Sequence, residues 1–175
     1  RHLRQSTRRR RAGRLPTRMI LRAELPLDRE AEGRFSVFDA AGACVFGPLR
    51  CLGEADDAEE QRHGTPDDDP VHVYGDHPFG DYRVTAIEPS KLPARSYGPF
   101  FFRLMPVAGQ ALEAWEAGRR GLGIHGGDLG EGAMLRSTFG CLRIDNDTCE
   151  ALAAFLAPDF AAGRPVLYQC RPLVP

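Results

Sequence analysis

Glycine and proline interrupt this chain so often that few long regular elements fit between them. The 175 residues include 19 Gly and 14 Pro, which indicates many turns and short elements. A helical bundle needs long helices, whereas a sheet accepts short strands joined by turns. We therefore expect a strand-rich, mainly β fold.

Length and charge divide the chain into two parts. With 42% hydrophobic and 9% aromatic residues, it can bury one sizeable core and is short for two. The net charge of −1 conceals an asymmetry, because residues 1–22 contain nine Arg and no acidic residue. Like charges repel and few apolar groups are available to bury, so residues 1–22 are expected to be a disordered segment and residues 23–175 the folded domain.

Several classes of partner are not expected. The arginines of the N-terminal segment could contact an anionic surface through charge alone, but no aromatic residues interleave them, so no nucleic acid is predicted. No stretch of 18 apolar residues occurs, so no transmembrane segment is predicted. No signal peptide is visible, because no apolar run follows the arginines.

Local patterns predict a coarse secondary structure. The runs bounded by turn residues that predict strands are 34–38, 43–49, 71–74, 82–87, 100–104 and 165–169. The first two flank a Gly-containing turn and predict a hairpin. Helices are expected over 110–120, with Arg119 and Arg120 at the cation-favouring C-terminal end, and from a capping box at Asp147 until Pro158. The acidic stretch 54–70 is expected to be a solvated loop, with a lid over a site as the alternative.

The cysteines leave their bridging state open. Five cysteines allow one free thiol with up to two disulfides, or no disulfide at all. Cys44 and Cys51 are candidates to pair across a hairpin. No Cys-x-x-Cys spacing is present, so no metal site is expected. The five are Cys44, Cys51, Cys141, Cys149 and Cys170.

Two glycine-flanked segments carry an imidazole and a thiol. These are Gly123-Ile124-His125-Gly126-Gly127 and Ser137-Thr138-Phe139-Gly140-Cys141-Leu142-Arg143. A thiol attacks as thiolate and needs a base, which His125 can supply. Gly140 lets the backbone approach a carbonyl, and N–H groups around Cys141 can bind an oxyanion. Taken singly, such residues are most often buried or satisfied; together they favour a catalytic cysteine.

The same residues resemble the signature of the L,D-transpeptidases, the YkuD-type catalytic domain. Its parts here are Ile124-His125-Gly126, Thr138-x-Gly140-Cys141-Leu142-Arg143 and Asn146. The segment from Tyr74 to Val84 resembles the family's Pro-x-Gly-x-Tyr segment, and the resemblance covers residues 33–172. Where many members have a second histidine before the Gly-Cys, this chain has Phe139.

The resemblance implies a fold, a reaction and a location. The fold would be a β-sandwich of mixed sheets with two or three short helices. The protein would be a monomer without a cofactor, in the cell envelope, either periplasmic or secreted. Its partners would be peptidoglycan stem peptides. The cysteine would attack the L,D peptide bond between the third residue and the terminal D-Ala of a tetrapeptide stem, D-Ala would leave, and the thioester would pass to an amine.

The resemblance also implies residue roles. Cys141, His125 and Gly140 would be catalytic, with the N–H groups of Gly140 and Cys141 forming the oxyanion hole. The residues expected to bind substrate are Arg143, Gly126, Thr138, Phe139 and Tyr97. Arg143 has an internal salt bridge or cap as an equal alternative. Ser137 and Asn146 are expected to be structural, Asn146 by holding a turn.

Two other functions remain open. With water in place of the amine, the same acyl-enzyme makes the protein an L,D-carboxypeptidase or amidase-type hydrolase, including a secreted antibacterial enzyme. A non-catalytic cell-wall-binding module that kept the fold is the second alternative, and Phe139 is the feature that points to it.

Overall fold

The computed structural model describes residues 18–64 and 68–174. The described strands are β1 (Met19–Leu25), β2 (Gly33–Phe38), β3 (Cys44–Cys51), β4 (Gly80–Pro89), β5 (Phe100–Ala108), β6 (Gly123–His125), β7 (Leu142–Arg143) and β8 (Val166–Pro172). The described α-helices are α1 (Asp57–His63), α2 (Ala94–Tyr97), α3 (Gln110–Glu116) and α4 (Asn146–Ala161). A short 3-10 helix spans Glu131–Ala133.

The strands form one mixed sheet that curls almost into a barrel. Their order is β3-β2-β1-β8-β4-β5-β6-β7, with β1 parallel to β8 and β6 parallel to β7. The two edges meet just after β3, where Leu52 and Arg143 exchange backbone hydrogen bonds of 2.9 and 2.8 Å. This contact brings β6, β7 and the chain after β3 to one place.

The core follows from the alternation of side chains along the strands. In β1, Leu21, Ala23 and Leu25 are buried while the residues between them are only half-buried, as the two-residue period of a strand requires. Leu152 and Leu156 of α4 belong to the same buried cluster. The sheet therefore curls around a single hydrophobic core.

The prediction of a mainly β fold is confirmed, and the described residues form four α-helices rather than the two or three expected. The hairpin around Gly42 is confirmed as β2 and β3, and residues 82–87, 100–104 and 165–169 lie in or overlap β4, β5 and β8. Residues 71–74 were expected to be a strand, which is wrong: they form turns. The Asp69 carboxylate accepts the Val71 N–H at 2.9 Å, and the Asp69 carbonyl accepts the His72 N–H. These local hydrogen bonds compete with the pairing of a β-strand to its neighbour.

Two other boundaries differ from the expectation. β1 begins at Met19, so the last four residues of the Arg-rich segment belong to the sheet; residues 1–17 lie outside the described residues. α4 is capped by Asp145, whose carboxylate accepts the Thr148 N–H at 2.8 Å, and not by Asp147. α4 also continues past Pro158, to Ala161, so the expectation that Pro158 ends the helix is wrong.

The cysteines are free, and the expected pairing of two of them is wrong. All five are thiols. Cys44 and Cys51 stand at opposite ends of β3, about 23 Å apart at the rise of a strand, whereas a disulfide needs Cα atoms within about 7 Å. No helix among the described residues has the length and apolar character needed to cross a lipid bilayer.

Candidate active site

A cleft of about 280 Å³ opens where the two edges of the sheet meet. Seven of the ten residues predicted from the sequence line it, namely Tyr97, His125, Ser137, Thr138, Phe139, Cys141 and Arg143. The other three, Gly126, Gly140 and Asn146, do not line the cleft and make hydrogen bonds to residues beside it. The sheet closure thus brings together residues that the sequence separates by more than forty positions.

His125 is held as a neutral imidazole. It ends β6 and is 2% exposed, with the rings of Tyr97 and Phe101 at 4.8 and 5.8 Å. Its Nδ1 lies 2.7 Å from the Gly126 carbonyl oxygen. Because a carbonyl only accepts, Nδ1 carries the proton and Nε2 keeps its lone pair. Burial lowers the pKa of His125 to about 4, so the base form prevails at neutral pH.

Cys141 is held as a neutral thiol directly before β7. Its Sγ lies 3.7 Å from the Gly121 carbonyl oxygen. Burial raises the pKa of Cys141 to about 11, against the opposing effects of the Gly123 N–H and of the charges on Arg119 and Arg143. Thiolate formation therefore requires that the proton move to a base when the substrate arrives.

The turn before Cys141 is fixed by Thr138. The Thr138 Oγ1 accepts the Gly140 N–H at 3.0 Å and donates to the Cys141 carbonyl at 2.8 Å. The Gly140 N–H, predicted to contribute to an oxyanion hole, is thus paired within the turn. The Cys141 N–H is the remaining candidate donor.

Two buried residues, neither predicted as a site residue, fix the orientation of the peptide between Gly140 and Cys141. His77 Nδ1 donates to the Gly140 carbonyl at 3.0 Å, and its Nε2 accepts the Tyr168 hydroxyl at 3.1 Å. Arg119 also donates to the Gly140 carbonyl, at 3.3 Å. In a trans peptide the N–H points opposite to the C=O, so the Cys141 N–H is directed away from these two buried side chains.

Arg119 was expected to be a cation at a helix end, which is wrong. α3 already ends at Glu116, and the turn that follows places Arg119 in the interior at 2% exposure. Its guanidinium also donates to the carbonyls of Pro70, Gly75 and Asp76. No local pattern distinguishes an inward from an outward arginine at this position.

Arg143 and His125 share one hydrogen-bond acceptor, the Gly126 carbonyl. Its Nη1 donates to the Gly126 carbonyl at 2.6 Å, the same oxygen that accepts the His125 ring proton. A Cβ on Gly127, which has φ +144°, would lie 1.5 Å from that nitrogen, so only glycine permits the approach. Arg143 has no ion pair among the described residues. The Asn146 Oδ1 accepts the Gly127 N–H at 2.7 Å.

The rim of the cleft carries charges that the sequence analysis did not identify. Exposed Arg136 lies in the wall, and Asp56 and Glu59 of the α1 segment also line the cleft. Phe139 is 51% exposed and meets the Tyr74 ring edge to face at 6.0 Å. The cleft therefore offers groups of both signs and an aromatic face to a ligand.

Comparison with known proteins gives no family for the chain. No family model matches it, and no curated protein matches it either. Within the described residues, the one group of three side chains whose ligand atoms come close enough for a metal ion is Asp57, Glu60 and Asp68, none of which is His125 or Cys141. The site is therefore defined by its chemistry alone: one cleft contains a thiol and a neutral imidazole.

Proposed function

We propose that the protein is an L,D-transpeptidase-like enzyme of the cell envelope, a cysteine acyltransferase that acts on the L,D peptide bond of peptidoglycan tetrapeptide stems. The observation that carries the proposal is the shared cleft of Cys141 and His125, with the Nε2 of His125 left to accept a proton. The order of residues around both resembles the L,D-transpeptidase signature, and a mainly β fold is what that resemblance implies.

The proposed reaction has two halves. His125 Nε2 takes the thiol proton as the Cys141 sulfur attacks the carbonyl before D-Ala, and the Cys141 N–H binds the oxyanion. The C–N bond breaks, the imidazolium returns the proton to the departing amine, and a thioester remains. The amine of a second stem then attacks the thioester, its proton passes to Nε2, and the thiol is restored with that proton.

The charges of the cleft suit this substrate. The tetrapeptide ends in a carboxylate, and exposed Arg136 in the wall can pair with it as a bidentate fork. A diamino acid at the third position carries an ammonium group, for which Asp56 and Glu59 are suitable partners. The aromatic rings of Tyr97 and Phe139 can cover the aliphatic part of that side chain.

Hydrolysis of the same thioester is the second candidate. Phe139 stands half-exposed on the rim, where many L,D-transpeptidases have a histidine, so this chain has one polar group fewer beside the acceptor. An L,D-carboxypeptidase or amidase-type hydrolase would use Cys141 and His125 in the same roles, with water as acceptor.

Intact-mass analysis after exposure to a carbapenem, which acylates the cysteine of L,D-transpeptidases, tests the proposal. We expect one adduct on the native chain, none on Cys141→Ala, and a full adduct on Cys44→Ala, a matched control that removes an exposed thiol. An equal adduct on Cys141→Ala, or none on the native chain, would favour the non-catalytic module. Incubation with disaccharide-tetrapeptides then separates transfer, which gives cross-linked dimers, from hydrolysis, which gives free tripeptide stems.

A further inference from the structure

The short helix α1 separates the active-site cleft from a second cleft. Asp56 and Glu59 line the former, whereas Asp57 and Glu60 line the latter, which has a volume of about 530 Å³. Seven carboxylates and one amide line this acidic cleft, and no basic side chain does among residues 18–64 and 68–174. The seven acids are Asp28, Glu30, Glu54, Asp57, Glu60, Asp68 and Asp76.

The carboxylates of the acidic cleft lack cationic partners. None of the seven takes part in an ion pair within the described part of the chain. Arg29 is near, but its guanidinium donates to the Leu27 carbonyl and to Gln110 Oε1. Burial and a hydrogen bond with Asp68 raise the pKa of Glu60 to about 8, and burial raises that of Glu54 to about 7. No ion pair within this part of the chain therefore offsets the burial of these acids, although the charges of Arg29 and Arg119 act on Asp76.

Glu60 is the least satisfied of these groups. It is only 5% exposed, and its Oε1 is buried with no hydrogen-bond partner among the described residues. A buried carboxylate oxygen needs a donor or a cation to offset its lost hydration. Since Glu60 lines the acidic cleft, a cation in that cleft can meet the need.

The donor atoms of the cluster indicate the ion. One oxygen from each of Asp57, Glu60 and Asp68 lies within 4.8 Å of the others. Ca²⁺ takes about six to eight oxygen ligands in flexible geometry, which a cleft with several carboxylates can supply, whereas Mg²⁺ requires a near-ideal octahedron and retains several waters. An all-oxygen set without imidazole or thiolate also suits Ca²⁺ better than Zn²⁺ or Cu²⁺.

We propose that Asp57, Glu60 and Asp68 bind one Ca²⁺ ion, with water and other acids of the cleft completing its coordination. The ion would join α1 to the segment at residue 68. Because the same helix presents Glu59 to the active-site cleft, Ca²⁺ would also fix one wall of that cleft. The proposal does not depend on the reaction suggested above.

Isothermal titration of the chelator-treated full chain with CaCl₂ at about pH 7.5 tests the site. We expect saturable uptake of one ion per chain with a Kd of about 0.1 to 1 mM, a rise in melting temperature, and about tenfold weaker binding of Mg²⁺.

Substitutions locate the binding. Glu60→Gln and Asp68→Asn should each weaken Ca²⁺ binding about tenfold or more, because each removes one carboxylate ligand. Asp57 is exposed, so Asp57→Asn provides the same test without disturbing a buried residue. Glu116→Gln, on the exposed side of α3, is the matched control and should bind as the native chain does.

Two results would overturn the proposal. One is the absence of saturable heat and of any melting shift up to about 10 mM Ca²⁺, well beyond the range of extracellular calcium modules. The other is equal binding by the native chain and all three cleft variants, which would mean an adventitious surface cation.

Discussion

Removal of the His77 imidazole is expected to damage both the stability of the fold and the reactivity of Cys141. His77 is fully buried and joins the Gly140 carbonyl to the Tyr168 hydroxyl. In His77→Ala, the Tyr168 hydroxyl loses its acceptor, at about 1 to 3 kcal/mol, and the cavity adds about 2 to 4 kcal/mol. A total of about 3 to 7 kcal/mol is a large part of the roughly 5 to 15 kcal/mol typical of a domain, and urea unfolding measures it.

The effect on reactivity follows from the orientation of one peptide. With His77 gone, only Arg119 at 3.3 Å holds the Gly140 carbonyl, and the Cys141 N–H is free to rotate away from the oxyanion. Loss of one such donor slows acyl transfer about 10²- to 10³-fold. The second-order rate of carbapenem acylation, followed by intact mass, is the assay.

A conservative variant separates positioning from packing. His77→Asn places an amide nitrogen near the position of Nδ1, so it keeps the donor to Gly140 and loses the contact with Tyr168. It should therefore lose stability and yet acylate within about tenfold of the native rate. If His77→Ala, shown to be folded by circular dichroism, acylates as fast as the native chain, then His77 does not aim the Cys141 N–H.

The difference in stability between the native chain and His77→Asn is expected to depend on pH, because His77 can be protonated. Burial lowers the pKa of His77 to about 3 in the folded state, below its value of about 6.5 in the unfolded chain. The stability that neutral His77 contributes is complete above pH 6.5 and is lost as the pH falls toward 3. The advantage of the native chain over His77→Asn should therefore shrink by up to about 1.4 kcal/mol per pH unit across that window.

Three more outcomes are expected. Acylation of Cys141 should be nearly independent of pH from about 5 to 9 and fall tenfold per unit below about pH 4 as His125 gains a proton; a midpoint near 6.5 would contradict the buried, neutral base. Gly140→Ala and Gly42→Ala both place a side chain at positive φ. A Cβ at position 140 would lie 1.8 Å from a buried guanidinium nitrogen, whereas a Cβ at position 42 would have no atom within 4 Å. The first should cost several kcal/mol and the second about 1 kcal/mol in urea unfolding, and equal costs would refute the crowding. Iodoacetamide should label Cys44 first in the native protein, because it alone of the five cysteines is exposed, and peptide mapping that finds faster labelling elsewhere would contradict this.

The parts of the fold that the sequence reveals are those with a simple apolar period. β2 and β3 flank a turn whose Asp39 and Gly42 are recognisable, and the turn forms as expected. α1 is not recognisable in this way, because the one buried residue of this seven-residue helix is Glu60. Its start has a signal after all, since the Asp56 carboxylate accepts the Glu59 N–H at 3.1 Å, as in an N-cap.

In the candidate site, too, some residues can be predicted from the sequence and others cannot. Cys141 and His125 stand in short segments whose residue types already indicate their chemistry. His77 and Arg119 contact Gly140 from 63 and 21 positions away, and no local pattern records such a contact. A single sequence therefore identifies the reacting atoms more readily than the groups that hold them.

The segment around residues 68–77 connects the two clefts physically. Arg119 donates to three backbone carbonyls of this segment and to the Gly140 carbonyl. The Asp76 carboxylate accepts the Ala55 N–H at 2.8 Å, directly before α1, while Asp68 lines the acidic cleft. α1 itself has no buried apolar face, so polar contacts must hold it. An ion that neutralises the acidic cleft would therefore strengthen the same set of contacts that keeps the Gly140 carbonyl turned inward and the Cys141 N–H directed away from it.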